Sequence, residues 1–340
     1  MTLQKVANHA GVSLATASRV LHGSGTRTVG EELRRRVESA AEELRYVSNA
    51  PAQALARSAS SIVGLIVHDV ADPYFGAIAA GAMRAARVQR LVVMIAATFR
   101  EPGLELEYLR GLRAQRARAV IMAGSGTTYP PTVDRLAEEI AGFASDGGRV
   151  VCIGDRGPEL DAVLMGNREG AARAVRGLWE LGHRRIGVVS GPTDLVTVRD
   201  RLDGARRELG ALGSSLDADA VQVGDFTREG GRAAVVRLLT ANPDLTGVLV
   251  LNDVMAAGVL TGLQDDLGLL VPDRVSVVGF DDVPFAVDLR PSLSTVRLAL
   301  EQAGERAVAL LTQPGAEEPR RVELAPELVL RASTGPAPVS

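Results

Sequence analysis

The sequence predicts an α/β protein built as two doubly wound, parallel-sheet lobes behind an all-α head. Three observations carry that prediction. Residues 1–47 show helical periodicity and no strand pattern. From Ile62 onward, continuous apolar runs alternate with helical stretches, the mark of parallel strands covered on both faces. Two of those runs, IVGLIV and RIGVVS, open similar halves about 120 residues apart.

At 340 residues the chain exceeds one ordinary domain, and 46% apolar content is enough for more than one core. Aromatics are only 3%, so those cores rest on Leu, Val, Ile and Ala. Charge is unevenly spread. Residues 1–60 hold eight Lys/Arg against five acidic side chains, a net +3; with the whole chain at −3, the other 280 residues carry −6. A basic module ahead of an acidic body suits a small polyanion-binding unit, although a solvated helical face explains the same excess. The single cysteine, Cys152, lies in the apolar run RVVCIG and is expected as a buried, reduced thiol. No basic-then-apolar leader opens the chain and no run of eighteen apolar residues occurs, so a soluble cytoplasmic protein without membrane partners is expected.

In the head, TLQKVANHA places Leu3, Val6, Ala7 and Ala10 on one face, with Thr2 available as N-cap. Gly11 ends that helix and Ser13 can cap the next, LATASRVL, whose Ala17, Val20 and Leu21 face inward. Leu14, Ala15, Thr16, Ser18 and Arg19 are left outside. HGSGTRTVG is a loop by its glycines. A third helix follows, with Leu33, Val37, Ala40, Ala41 and Leu44 as its inner stripe. Two short helices joined by a Gly-containing turn make a helix-turn-helix. The stretch SNAPAQALARSASS, residues 48–61, reads as a short helix capped by Asn49 and then a linker; so short a helix is marginal alone.

In the body, strands are predicted at LVVMIA, AVIMAG, VVCIG, AVLMG, RIGVVSG, AVQVGD, GVLVLND and VSVVGFDD, with helices such as FGAIAAGAMRAARV, EGAARAVRGLWELG and EGGRAAVVRLL between them. Ligands of such sheets bind outside the carboxyl ends of the strands, so two lobes would wall one cleft. Enzyme signatures are missing: there is no dinucleotide or P-loop glycine pattern, no nucleophile elbow, and the four histidines (His9, His22, His68 and His183) lack metal spacing. GFDD, Gly279–Asp282, offers paired carboxylates that would serve either as acid and base or as acceptors for a polyol. No cofactor, no metal and no enzymatic activity are expected.

At the front, TLQKVANHAGVSLATASRVLHG and VESAAEELRYVSNAPAQALA, and in the body DPYF, CIGDR, LGHRRIGVVSGP, RLDGA, LVLNDVMAAG, VSVVGFDD and PSLSTVRL, in that order, give the chain a specific likeness. It resembles the lactose repressor/galactose repressor family of bacterial transcription regulators over essentially its whole length. The resemblance implies an effector-responsive, sequence-specific DNA-binding regulator, a dimeric repressor whose body is a periplasmic-binding-protein-like sensor. It implies a head at 1–47, a hinge and linker at 48–61, an amino-terminal lobe at 62–160 plus 292–321, and a carboxy-terminal lobe at 161–291 plus 322–340. Without apolar heptads in the closing RASTGPAPVS, a dimer is expected rather than a tetramer.

The second helix of a helix-turn-helix lies in the major groove with its first residues on base edges. The resemblance gives Leu14, Ala15 and Arg19 much of the base choice; Arg19 suits a guanine, at roughly 1–3 kcal/mol of discrimination, and Leu14 and Ala15 a thymine methyl. Ser13, Thr16 and Ser18 would hold phosphates. The likeness extends contact to His22 and Thr28 and to the hinge residues Asn49, Ala52, Gln53 and Leu55. Leu55 would wedge into the minor groove at a flexible central CG step of a pseudo-palindromic operator. Ser48, where the family has proline, Pro51 within the hinge helix, Gly30 in place of a serine cap and Gly166 before Asn167 depart from the pattern. For the cleft, the resemblance implies Tyr74, Phe75, Asp155, Arg156, Arg201, Phe226, Asn252 and Asp281 as effector contacts. Flat aromatic faces with Asp, Asn and Arg suit the hydroxyls of a sugar or polyol. Leu195, where purine-binding members carry an arginine, argues against a purine. The alternative is a cytoplasmic sugar-binding protein whose head does not read DNA.

Overall fold

The computed structural model describes residues 2–22, 29–46, 60–101, 103–316 and 318–338. Two compact units are present, Met1–Ser60 and Ser61–Ser340. The first contains three helices, α1 (Leu3–Ala10), α2 (Leu14–His22) and α3 (Glu31–Glu43). Val6, Ala7, Ala10, Ala17, Val37 and Ala40 form its buried core, with Val20, Leu21, Ala41 and Leu44 packed at its edge. Removing each valine from water is worth about 1.5–3 kcal/mol, which is much of what so small a domain has. Leu33 departs from the expected inner stripe of α3: it is 37% exposed, because the core ends one turn short of it. Thr2 occupies the N-cap of α1 without a side-chain cap; its carbonyl accepts from Lys5 N and Val6 N instead.

The second unit alternates strand and helix. Its first sheet takes β1 (Ile62–Val67), β2 (Val92–Ala97), β3 (Ala119–Ala123), β4 (Arg149–Ile153), β5 (Asp161–Leu164) and β11 (Arg321–Glu323), in the order β11-β5-β4-β3-β1-β2, all parallel. Its second takes β6 (Ile186–Ser190), β7 (Val221–Val223), β8 (Gly247–Val250), β9 (Ser276–Asp281), β10 (Ser294–Arg297) and β12 (Glu327–Val329), in the order β12-β10-β9-β8-β6-β7, with only the β10/β12 pair antiparallel. Helices α4 (Pro73–Val88), α5 (Leu104–Ala114), α6 (Pro130–Ser145), α7 (Asn167–Glu180), α8 (Val196–Ala211), α9 (Arg228–Ala241), α10 (Asp253–Thr261) and α11 (Leu300–Thr312) fill the crossovers and faces. Central strands β1, β3, β6, β8 and β9 are buried almost throughout, as their unbroken apolar runs require. α11 lies against α4 so closely that a Cβ on Gly81 would strike the Glu301 carbonyl.

Three crossings join the lobes, and each falls a few residues from the expected boundary. β5 belongs to the first sheet, because its backbone pairs with β4 and β11, so the first crossing follows Leu164 rather than residue 160. β10 belongs to the second sheet, paired with β9, so the chain returns after Arg297 rather than after residue 291. The last crossing lies between β11 and β12, after Glu323.

Candidate functional site

The head presents one well-defined face. Gly11, at φ 62°, closes α1, and its N–H reaches the carbonyls of Ala7 and Asn8. Arg36 of α3 donates to the Ala10 carbonyl at 2.6 Å, tying the turn to the third helix. Ser13 caps α2 as expected: its Oγ accepts from Thr16 N at 3.1 Å and lies 2.8 Å from the Thr16 hydroxyl. Leu14, at 44% exposure, and Ala15 stand in the open on the first turn, and Ser18 and Arg19 are half-buried behind them. An exposed leucine beside a fully buried Ala17 is a surface that the head's own core does not use. At the far end His9 Nε2 meets Glu43 Oε2 at 2.9 Å, and that bond holds the Glu43 carboxyl below its usual range. Thr28, Asn49, Ala52, Gln53 and Leu55 lie outside the described residues, as does the side chain of His22.

In the second unit the strand orders place a switch point between β1 and β3 in one sheet and between β6 and β8 in the other. Just beyond those carboxyl ends is a cavity of about 60 Å³, lined by Tyr74, Phe75, Arg201, Phe226, Asn252 and Asp281. Six of the eight residues expected in the cleft therefore meet there. Arg201 comes from α8, which follows β6; its Nε donates to Asn167 Oδ1 at 2.8 Å, Nη1 to the Leu251 carbonyl and Nη2 to Asp281 Oδ1 at 3.1 Å. The guanidinium stacks 3.7 Å over the Phe280 ring, so packing and hydrogen bonds both fix it. Asp281 ends β9 in a left-handed conformation, φ 115°. Burial pushes its carboxyl well above the ordinary range, against the pull of Arg201. Its Oδ2 takes no protein partner among the described residues. Asn252 caps α10 by accepting from Met255 N at 2.9 Å, which leaves its amide N–H groups for the cavity.

The apolar faces are equally constrained. Phe226 follows β7 at φ 67°, its ring packed so tightly on Gly191 that any Cβ there would collide with it. Tyr74 meets Phe75 edge-on at 4.9 Å, and burial raises the Tyr74 hydroxyl above its ordinary pKa. Asp72, another wall residue, caps α4 through Tyr74 N at 3.0 Å, and burial raises its carboxyl.

Asp155 and Arg156 do not line this cavity. Asp155 pairs with Arg321 at 2.9 Å and accepts from Gly157 N. Arg156 is buried and forks onto Glu105 at 3.0 and 2.6 Å, with weaker contacts to the carbonyls of Gly124 and Ser125. It braces the loop after β3. In their place stand His68 after β1, Arg100 after β2, Ser125 after β3 and Thr197 at the start of α8, which the motifs did not single out as contacts, beside Leu195, the position that the resemblance had set against a purine. Their signal in the sequence was position, immediately beyond strand ends. A carbonyl can only accept, so His68 Nε2 donates to Ser125 O at 3.1 Å, and in the neutral ring Nδ1 accepts from Thr98 at 3.2 Å; burial lowers its pKa.

The lobes touch across the cleft. Thr128 N donates to Asp194 O at 2.7 Å, Val196 N to Gly126 O at 2.9 Å and Thr197 N to Ser125 Oγ at 3.0 Å. The paired carboxylates of GFDD diverge: Asp281 faces the cavity, while Asp282 is held by Arg297 and Arg331, both at 2.7 Å. They do not form an acid–base pair. Among the described residues no three metal-ligating side chains cluster, and no helix is long and apolar enough to cross a membrane.

Known proteins are similar over nearly the full length. Residues 2–49 match the model for bacterial regulatory proteins of the lacI family, and residues 175–334 a periplasmic binding protein-like domain. The HTH-type transcriptional regulator GalS of Salmonella typhimurium is 35% identical over 316 residues, 93% of this chain and 90% of that one. The solved transcriptional regulator CelR-cellobiose complex superposes with a TM-score of 0.72 at 31% identity, covering 98% of this chain and 99% of that one. The lac repressor dimer bound to operator and the anti-inducer ONPF does so at 0.86 and 26% identity, with the same coverage.

Proposed function

Because the chain belongs to the lacI family and is a DNA-binding transcriptional regulator, we propose that it is a repressor that binds a pseudo-palindromic operator as a dimer and is controlled by a sugar in the inter-lobe cleft. The observation that carries the sugar reading is the inner cavity itself. Asp281 Oδ2 and the Asn252 amide are unspent, the Arg201 guanidinium is rigidly held, and Phe75 and Phe226 supply flat walls. Carboxylate, amide and guanidinium on one side with aromatic rings on the other match the hydroxyl edge and C–H face of a pyranose. The cellobiose bound to CelR supports the same ligand class.

The regulator acts in the cytoplasm, where its DNA is. Leu14, Ala15 and Arg19 read bases; Ser13, Thr16, Ser18, His22 and Thr28 hold the backbone; Asn49, Ala52, Gln53 and Leu55 contact the minor groove. Two chains pair through the edge strand β2 and the neighbouring α4, where Val92, Met94, Ile95, Met83 and Val88 are apolar and exposed. Sugar changes the closure of the lobes and so the order of the hinge. A hinge this short needs only a few kcal/mol of differential binding to switch. The chain has no enzymatic role: the carboxylates of the cleft serve recognition.

The test is selection of random duplexes by the full-length protein, with and without pooled sugars. A palindrome with a central CG, lost or gained with one pool, is the expected result. Strong sugar binding without any enriched duplex would favour the alternative, a sugar-binding protein whose head does not read DNA.

A further inference from the structure

Resting on that sugar reading, we infer that the effector is a neutral oligosaccharide of at least two rings, whose second ring occupies a separate outer cavity. The inner cavity, at about 60 Å³, has room for roughly four to six waters at ~10–15 Å³ each. Directly against it lies a second cavity of about 470 Å³, between the loop after β2, the start of α6 and the loop before α8. The two share His68, Arg100, Ser125 and Leu195 as walls, so the cavities adjoin along these four residues.

The outer cavity carries the same chemical kit as the inner. Tyr129, 61% exposed, offers an aromatic face. Arg100, Glu101, Arg135 and Asp194 surround it, and among the described residues none of the four enters an ion pair. Glu105 also lines the cavity, but its charge is met by Arg156 behind it, so the two free cations and two free anions leave no net charge. That favours an uncharged ligand with many hydroxyls, which takes bidentate hydrogen bonds from both signs, over a phosphate or a carboxylate.

Arg100 stands at the junction. Phe99 and Arg100 both adopt left-handed backbone, φ 50° and 59°, a conformation that costs free energy at two consecutive non-glycine residues. The result puts the Arg100 guanidinium 5.1 Å from the centre of the Phe226 ring, over the inner wall, and the residue lines both cavities. A glycosidic oxygen passing between the cavities would lie beside it.

The experiment is calorimetric titration of the full-length protein with matched sugars: glucose against cellobiose and cellotriose, and galactose against lactose and melibiose. Wild type should bind at least one disaccharide at least tenfold more tightly than the free monosaccharide that forms it. Y129A/R135A, two exposed positions whose change leaves the melting temperature in place, should lose that advantage and bind both lengths within twofold of the wild-type monosaccharide value. Equal affinity for both lengths, or an equal loss for both in the variant, overturns the two-ring effector while leaving a sugar sensor intact. Binding of no saccharide at any length overturns the sugar reading itself, and the two failures are thereby distinct.

Discussion

Arg201 and Asp281 show how much one side chain can carry. Arg201 joins Asn167 at the start of α7, the carbonyl of Leu251 after β8, and Asp281 at the end of β9, and stacks on Phe280. Removing one partner of a buried pair typically costs about 3–5 kcal/mol, since the other charge is left without compensation. R201M should therefore lower the melting temperature sharply and abolish sugar binding, whereas R201M/D281N should recover part of the stability and none of the binding; recovery of both would mean that the pair is structural only. Asp253 gives a pH prediction. It is fully buried between Val283 N and the Thr295 hydroxyl, and burial pushes its carboxyl up to about 7. A folded-state pKa above the unfolded 3.8 means that the unfolded chain ionises first as pH rises. Stability is lost between about pH 4 and 7, by up to ~4 kcal/mol at 1.36 kcal/mol per unit. Melting D253N and wild type side by side across that range should show the difference moving in favour of the variant and then levelling near pH 7; a constant offset would contradict it. Side chains such as Arg201 and Asp281 were legible because their motifs fix both identity and place. Asp155 and Arg156 were not, because their direction depends on Arg321 and Glu105, residues far away in the chain.

Elements were legible where one interaction dominates. The apolar runs of β1, β3, β6 and β8 can only be central strands, and Gly11 with Ser13 can only be a helix end and a helix start. The edge strand β7 was legible in the alternation of AVQVGD, whereas the three-residue edge strands β11 and β12 carry no such periodicity and exist because a neighbouring strand offers backbone groups to pair with. The lobe boundaries slipped for the same reason, since β5 and β10 are assigned by their pairing rather than by their residues. At this scale α2 is the element to test. S13A removes its amino-terminal side-chain cap and should cost about 1 kcal/mol of head stability, read as weaker DNA binding at every sequence alike. R19A should do the opposite: leave the head's melting unchanged but relax preference at one base pair per half-site by about 1–3 kcal/mol, or roughly 5- to 150-fold in a competition assay. An R19A loss uniform over all sequences would reassign Arg19 to a phosphate.

For the whole molecule, reading a palindrome requires two heads, and one chain supplies one. The single copy leaves β2 at the open edge of its sheet with Val92 61%, Met94 40% and Ile95 40% exposed, and Met83 and Val88 of the adjoining α4 uncovered. Apolar edge strands of soluble proteins are ordinarily short, charged or covered, so the proposed dimer covers this one, a second copy bringing the same surface to it across a two-fold axis. M94E/I95E places two like charges per chain on that surface, hence four at a two-fold interface, where each would be desolvated without a partner. Neither side chain belongs to the fully buried core, so the melting temperature of the isolated chain should change little. Sedimentation should then show wild type at twice the chain mass and the variant at the chain mass. Operator affinity should fall steeply in the variant while sugar affinity holds, because the cleft lies within one chain. A variant that still sediments as a dimer would move the interface elsewhere on the lobes; a wild type that sediments as a monomer would mean that the operator itself brings the two chains together.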